Sequence, residues 1–361
     1  MPDTVEAVVL TETRTFETRE FPRPAIGPDD GLLRVELAGI CHTDVDIVTG
    51  GYPTPLPLIM GHEIVGRIEE VGTRAARKWG VAAGDRVVVE PMVACGACPY
   101  CTAGDSRFCD NADGYGTVTS SDTAPHLWGA YSPLMHLAPG SVVHRVPDGM
   151  SAEVGMLCTV AIANAVQWTL ARGGVVQGHD VVVQGVGPIG LCCVAAARAA
   201  GARTVIATGL PRDVLGRELA PEFGADVVVT AGEQDVVEAV RDATGGRLAD
   251  VVVDTTGSPA ALRTSLNLVR KTGTVVSGGV TGKDVLTPLP MDVVTLKEIR
   301  LQGVFSFDSA SVRRAMALAA TGRFPFEKLV THRFDLGDAE AAIAAVSNHD
   351  LTDRLKVVLV P

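Results

Sequence analysis

Two short stretches of this chain combine residue types that suit a bound metal ion. Cys41-His42-Thr43-Asp44 offers a sulfur, an imidazole, a hydroxyl and a carboxylate in four residues, and Gly61-His62-Glu63 adds an imidazole and a carboxylate about twenty residues later. Thiolate and imidazole are zinc donors, and a carboxylate close behind each can orient it. The expectation is a catalytic zinc centre that the remaining chain positions.

A second cluster points to zinc of another kind. Of the eight cysteines, at 41, 95, 98, 101, 109, 158, 192 and 193, four fall within fifteen residues in the pattern C-x2-C-x2-C-x7-C. Four thiolates so close can complete a tetrahedron and leave no position for chemistry. Cys95, Cys98, Cys101 and Cys109 therefore read as a structural zinc lobe at about 91–111. Such clustering in a chain with no visible signal peptide reads as metal ligation rather than disulfides.

The elements that must hold these groups change character along the chain. Up to about residue 90, short apolar or alternating runs such as Glu6–Leu10, Gly31–Leu37 and Ile64–Ile68 are separated by Pro and Gly clusters, which predicts a barrel-like β core. From about Val175 the period changes. Asp180-Val181-Val182-Val183-Gln184 reads as a buried strand, followed at once by Gly185-Val186-Gly187-Pro188-Ile189-Gly190 and an Ala-rich helical run to Ala200. In a strand–turn–helix setting these glycines let the backbone approach a pyrophosphate at a helix N-terminus. Further strands are expected at 204–208, 226–230, 249–254, 273–277 and 299–305, a six-stranded doubly wound parallel sheet. Asp338 is the expected N-cap of a late helix, and Leu355–Val360 a closing strand that rejoins the N-terminal domain.

Composition bounds the alternatives. The chain has 361 residues, 47% hydrophobic, 20% charged and only 4% aromatic, so its cores are built from Val, Ala, Leu and Ile. Two domains follow from the length. A net charge of −11 disfavours nucleic acid and anionic membranes as partners, and no apolar run is long enough to span a bilayer. A cytoplasmic enzyme acting on a small molecule is the default expectation.

The motifs G-I-C-H-T-D (39–44), G-H-E-I-V-G (61–66), the four-cysteine lobe and V-V-V-Q-G-V-G-P-I-G (181–190), in this order, resemble the zinc-dependent medium-chain alcohol dehydrogenase family across nearly the whole chain. The resemblance implies an α/β protein: a GroES-like β-barrel catalytic domain (1–158 and 299–361), a Rossmann domain (159–298), and an active site between them. It implies two zinc ions per chain, NAD or NADP, reversible hydride transfer from a primary or secondary alcohol, and a homodimer or homotetramer with the strand near 299–305 as interface. A polyol, sugar or formaldehyde-type dehydrogenase is the nearest alternative. A zinc-free reductase of the same fold would need neither Cys41 and His62 nor the lobe, and a non-enzymatic zinc-binding regulator or nucleic-acid-binding module is the alternative of another class.

Carried over residue by residue, the resemblance makes Cys41 and His62 zinc ligands, with Cys158 as the third and Glu63 as a carboxylate that exchanges with water. Asp44 orients His62, and Thr43 takes the alcohol proton. Asp46 stands where the family often has a histidine as outer proton acceptor. His42 and Arg354 are placed against the cofactor pyrophosphate, and Phe305 and the backbone from Gly278 to Val280 along the nicotinamide. Trp128, Tyr52 and Met291 are pocket candidates. One departure concerns the cofactor. An NAD-preferring unit ends its second strand on an acid, whereas this chain has Gly209 there, followed by Arg212, which suits a 2′-phosphate, and Asp213, which could take the acid's role.

Overall fold

The computed structural model describes residues 3–282, 284–348 and 350–361. The chain divides into two compact units: one runs to Val160 and adds Asp308–Met316 and the chain from Val330 onward, the other holds Ala161–Phe307 and Ala317–Leu329.

The first unit is β-rich. Its strands are β1 (Thr4–Glu12), β2 (Thr15–Pro22), β3 (Gly31–Ile40), β4 (Leu58–Ile59), β5 (Glu63–Val71), β6 (Arg86–Val89), β7 (Met92–Val93), β8 (Asp113–Gly114), β9 (Leu134–Leu137) and β10 (Val143–Arg145). β2, β1 and β4 form one small sheet, and β7 pairs with β8 in the lobe region. The core between these sheets is mostly aliphatic, with Tyr115, Trp128 and Tyr131 among its few aromatics.

The second unit contributes β11 (Asp180–Gln184), β12 (Thr204–Gly209), β13 (Val227–Thr230), β14 (Ala249–Asp254), β15 (Val269–Ser277) and β16 (Arg300–Gly303). All are parallel, in the order β13-β12-β11-β14-β15-β16. That order reverses between β11 and β14, the doubly wound arrangement expected from the strand–helix alternation. Runs such as Val181–Val183 are buried on both faces, which is why they read as continuous rather than alternating. The sheet's last strand, β16, ends at Gly303 and the second unit continues to Phe307, beyond the expected division at 298.

The chain ends in β17 (Val330–Asp335) and β18 (Lys356–Val360), which complete the larger sheet of the first unit in the order β10-β6-β5-β3-β18-β17. β18 lies antiparallel to β3, pairing Val357 with Ile40, so the closing strand does rejoin the N-terminal half. Asp338 stands at the N-cap of the helix Ala339–Ser347, but its side chain makes no capping bond. Among the described residues no helix is long and apolar enough to cross a membrane.

Candidate active site

Three neighbouring strands bring their adjoining ends to one place. β3 stops at Ile40, immediately before Cys41; antiparallel β5 and β18 begin there with Glu63 and Lys356. Cys41 then caps the helix His42–Thr49, its Sγ accepting from the backbone N–H of Thr43 at 3.2 Å. Asp44 reaches back, and its Oδ2 accepts from the Cys41 N–H at 2.8 Å. The capping geometry thus fixes sulfur and carboxylate together before any long-range contact is made.

The tertiary fold then delivers His62. Its Nε2 lies 3.0 Å from Cys41 Sγ and its Nδ1 3.4 Å from Asp44 Oδ1. Ligand atoms of Cys41, His62 and Glu63 all lie within 4.8 Å of one another. Asp44 and Glu63 are completely buried and His62 nearly so. Gly39 pairs with Glu63 across the strands, and a Cβ there would sit 2.3 Å from Glu63 Oε2, so only glycine leaves room for that carboxylate.

Burial disfavours a proton on His62, but the Cys41 sulfur and the Asp44 carboxylate outweigh it and lift the imidazole well above its ordinary range. Glu63 is balanced by a cation the sequence reading did not include. Lys356 Nζ, wholly buried, donates to Glu63 Oε1 at 2.5 Å and to the Ile40 carbonyl at 3.1 Å. A lysine heading the apolar run Val357–Val360 was the available signal, since a buried ammonium needs a partner. Glu63 Oε2 accepts no hydrogen bond. Sulfur, imidazole nitrogen and a spare carboxylate oxygen make a donor set that fits zinc.

Cys95, Cys98, Cys101 and Cys109 form the second metal-capable group. The amides of Ala97 and Cys98 donate toward the Cys95 sulfur and lower its thiol to about 6, while burial and the neighbouring thiols push Cys101 up to about 12. The amides of Cys101 and Asp110 lower the Cys98 thiol as well, so two sulfurs are readier to bind as thiolate, and the metal must displace the proton of Cys101.

Other expected residues are distributed less tightly. Cys158 ends the helix Ala152–Leu157, fully buried, its thiol raised to about 12 by burial; it does not join the Cys41–His62–Glu63 group. Thr43 and Asp46 are half-buried and His42 exposed. Trp128 is a core residue, stacked on Tyr115 with Nε1 donating to the Thr123 carbonyl, whereas Tyr52 is exposed.

In the second unit Gly185, Gly187 and Gly190 differ in what surrounds them. Gly185 has φ of +96°, and a Cβ on Gly190 would meet the Gly185 carbonyl at 2.0 Å, which closes the turn onto the helix Pro188–Ala199. Gly187, the cap of that helix, has nothing within 4 Å of a Cβ, so its backbone is open to a ligand; Pro188 and Ile189 open the helix. A Cβ on Gly209 would come within 2.6 Å of Val186 Cγ2 and 3.0 Å of Arg217 Cγ. Asp213 accepts from the Leu210 N–H at 2.8 Å, turned into its own loop, and Arg212 is exposed. Val280, Phe305 and Met291 are exposed and Arg354 partly so.

Known proteins with this combination are numerous. Residues 27–148 match the alcohol dehydrogenase GroES-like domain model and 188–321 the zinc-binding dehydrogenase model. The chain is 41% identical, over 95% of its length and 94% of the relative's, to a Mycobacterium tuberculosis protein named probable alcohol dehydrogenase. It is 31% identical to an erythritol/L-threitol dehydrogenase of Mycolicibacterium smegmatis, covering 100% and 99% of the two chains. Among solved structures, an alcohol dehydrogenase from Thermotoga maritima superposes with TM-score 0.90 at 29% identity, covering 99% of both chains. A zinc-binding dehydrogenase from Sinorhizobium meliloti bound to NADP gives 0.88 at 30%, covering 100% of both. The chain belongs to the zinc-dependent alcohol dehydrogenase family of medium-chain dehydrogenases/reductases.

Proposed function

We propose that this enzyme oxidises a primary or secondary alcohol reversibly to an aldehyde or ketone, with NADP as the preferred hydride acceptor, as a cytoplasmic homodimer or homotetramer. The observation that carries the reaction class is the convergence of Cys41 Sγ, His62 Nε2 and the Glu63 carboxylate, with Asp44 behind His62. Cys41, His62 and Glu63 would hold a zinc ion that would supply Lewis acidity toward the alcohol oxygen, and the Gly185–Gly190 turn would hold the nicotinamide cofactor that would serve as hydride acceptor. The chain's own residues do the rest. Cys41 and His62 bind, with Cys158 as the third ligand carried from the family pattern. Asp44 fixes the imidazole, and Lys356 holds the carboxylate of Glu63. Thr43 receives the alcohol proton and Asp46 accepts it in turn. His42, Arg354, Val280 and Phe305 complete the cofactor contacts.

The preference for NADP is supported by the end of β12. Gly209 has no space for an acid, Asp213 is committed to the Leu210 amide, and exposed Arg212 remains for a 2′-phosphate. A polyol is the second reading for the substrate, because relatives at 31% identity include erythritol/L-threitol and sorbitol dehydrogenases. Steady-state kinetics with NAD and NADP against small alcohols, aromatic alcohols and polyols test the proposal. Absence of hydride transfer to either cofactor from a zinc-loaded preparation overturns it.

A further inference from the structure

The indole of Trp168 touches two segments of the second unit that are distant in sequence and adjacent at one end of its sheet. Nε1 donates to the Ser306 carbonyl at 3.2 Å. The six-membered ring lies against Gly278, where a Cβ would come within 2.4 Å of Cζ3 and 2.5 Å of Cε3. Trp168 is buried, so both contacts are sheltered from water. The helix that carries it changes pitch at this point. After Ala161–Val166 the turns Gln167–Arg172 are π-helical, and the Gly173 N–H reaches the Trp168 carbonyl at 2.8 Å. Such turns are rare and recur at functional sites.

Gly278 directly follows β15, and Ser306 comes shortly after β16, the strand paired with it. Both therefore stand at the carboxyl end of the sheet, where open parallel sheets bind their ligands. Gly278 is also tied to β14: the N–H groups of Gly278 and Gly279 donate to the Asp254 carbonyl at 2.9 and 3.3 Å, and a Cβ on Gly279 would lie 1.9 Å from the Gly257 nitrogen. Ser306 has φ of +54°, uncommon for a residue with a side chain, and the bond from Trp168 secures its carbonyl. Beside these two fixed points Val280 and Phe305 are exposed. The strand order says which half of a dinucleotide meets this end. The glycine turn follows β11, and Gly209, at the adenosine ribose position, ends β12 on one side of it. A dinucleotide crosses the point where the order reverses, so its nicotinamide half falls on the other side, over the ends of β14, β15 and β16.

We propose that Trp168 is a positioning residue for the nicotinamide, clamping Gly278 and the Ser306 carbonyl so that Val280 and Phe305 present a fixed surface to the ring. This rests on reading the second unit as the nicotinamide cofactor site. Buried itself, Trp168 acts through the two segments rather than by contact with the cofactor. The wedge accounts for Gly278 as much as for Trp168, because any side chain at 278 would collide with the indole.

The experiment measures, by calorimetry on the full zinc-loaded chain, the affinity for NADPH and NADH and for the matching fragments that lack nicotinamide, 2′-phospho-ADP-ribose and ADP-ribose. Trp168→Phe keeps a ring and loses the N–H. It should weaken the dinucleotide that wild type binds more tightly by about 3–10-fold and leave its fragment unchanged. Gly278→Ala should weaken the same dinucleotide at least as much, and in a Trp168→Leu background, where the indole is gone, the added methyl should cost little more. This pair decides the matter if Trp168→Phe does not fold. Wild-type affinity for the dinucleotide in Trp168→Phe overturns the proposal. So does an equal loss for dinucleotide and fragment, which marks a residue that only packs, and so does an equal cost of Gly278→Ala in both backgrounds. A wild-type chain that binds neither reduced dinucleotide would instead overturn the cofactor reading on which the proposal rests.

Discussion

Lys356 and Glu63 meet at the adjoining ends of two strands that flank β3, Nζ to Oε1 at 2.5 Å, with both side chains buried. Such a pair is costly to break from one side. Lys356→Met leaves a buried carboxylate without its cation, and the metal-free protein should lose about 3–5 kcal/mol. Adding Glu63→Gln removes the stranded charge and should recover much of that loss. Melting curves in chelator decide it; equal destabilisation in single and double variants would show that the pairing is not what holds these strand ends.

The lobe and the reactive group should lose metal independently. Cys98→Ala removes one of four sulfurs, so bound zinc should fall from about two ions to about one per chain. Measurement is by elemental analysis, and loss of both ions would contradict the separation of the two clusters along the chain.

Acid should release the lobe metal in a defined direction. The Cys95 thiol is lowered to about 6, so protons compete with the metal for that sulfur only as pH falls through about 6, and affinity should drop there. Cys101, pushed up to about 12, must give up a proton to bind, so affinity should continue to rise above neutrality. Zinc competition across this range checks both signs; a pH-independent affinity would refute them.

Arg212→Ala should discriminate between cofactors. If Arg212 meets a 2′-phosphate, its removal costs roughly 1.5–3 kcal/mol, about 10–100-fold in NADP affinity, and leaves NAD binding unchanged. Fluorescence titration with both reduced cofactors reads this directly. An equal effect on the two would assign Arg212 no part in the choice.

At the start of β11, Asp180 is wholly buried and accepts from Arg203 and Arg247, the former at 2.9 Å through Nε. Burial raises its pKa, but the arginines outweigh it and hold the carboxyl below the ordinary aspartate range. Its stabilising effect is present above that range and disappears as pH falls through the lowered value. Asp180→Asn should therefore cost about 1–3 kcal/mol at neutral pH, with the gap to wild type closing only in strong acid. A gap that closes near neutrality would place the titration elsewhere.

Much of the site was legible because its chemistry is local. The cap that joins Cys41 to Asp44 spans four residues, the lobe fifteen, and the glycine turn six. Strand–helix alternation likewise foretold the doubly wound parallel sheet. The division at 298 fell before the expected strand at 299–305, which pairs with β15 as the sheet's sixth strand. Trp128, a pocket candidate on residue type, is core because Tyr115 and His136 pack on it.

By itself, the sequence determined which donor atoms exist, the domain types, and the turns that require glycine, since these follow from short-range spacing and backbone sterics. Only the tertiary structure decided which distant groups share a space. Lys356 reaches Glu63 from 293 residues away, Tyr131 settles on Gly61, and Asp213 accepts from the Leu210 amide in its own loop. The physical reason is strand pairing. A local pattern fixes what each strand end carries, but the order β5-β3-β18 fixes which ends adjoin, and that order follows from burying a common core rather than from any one segment.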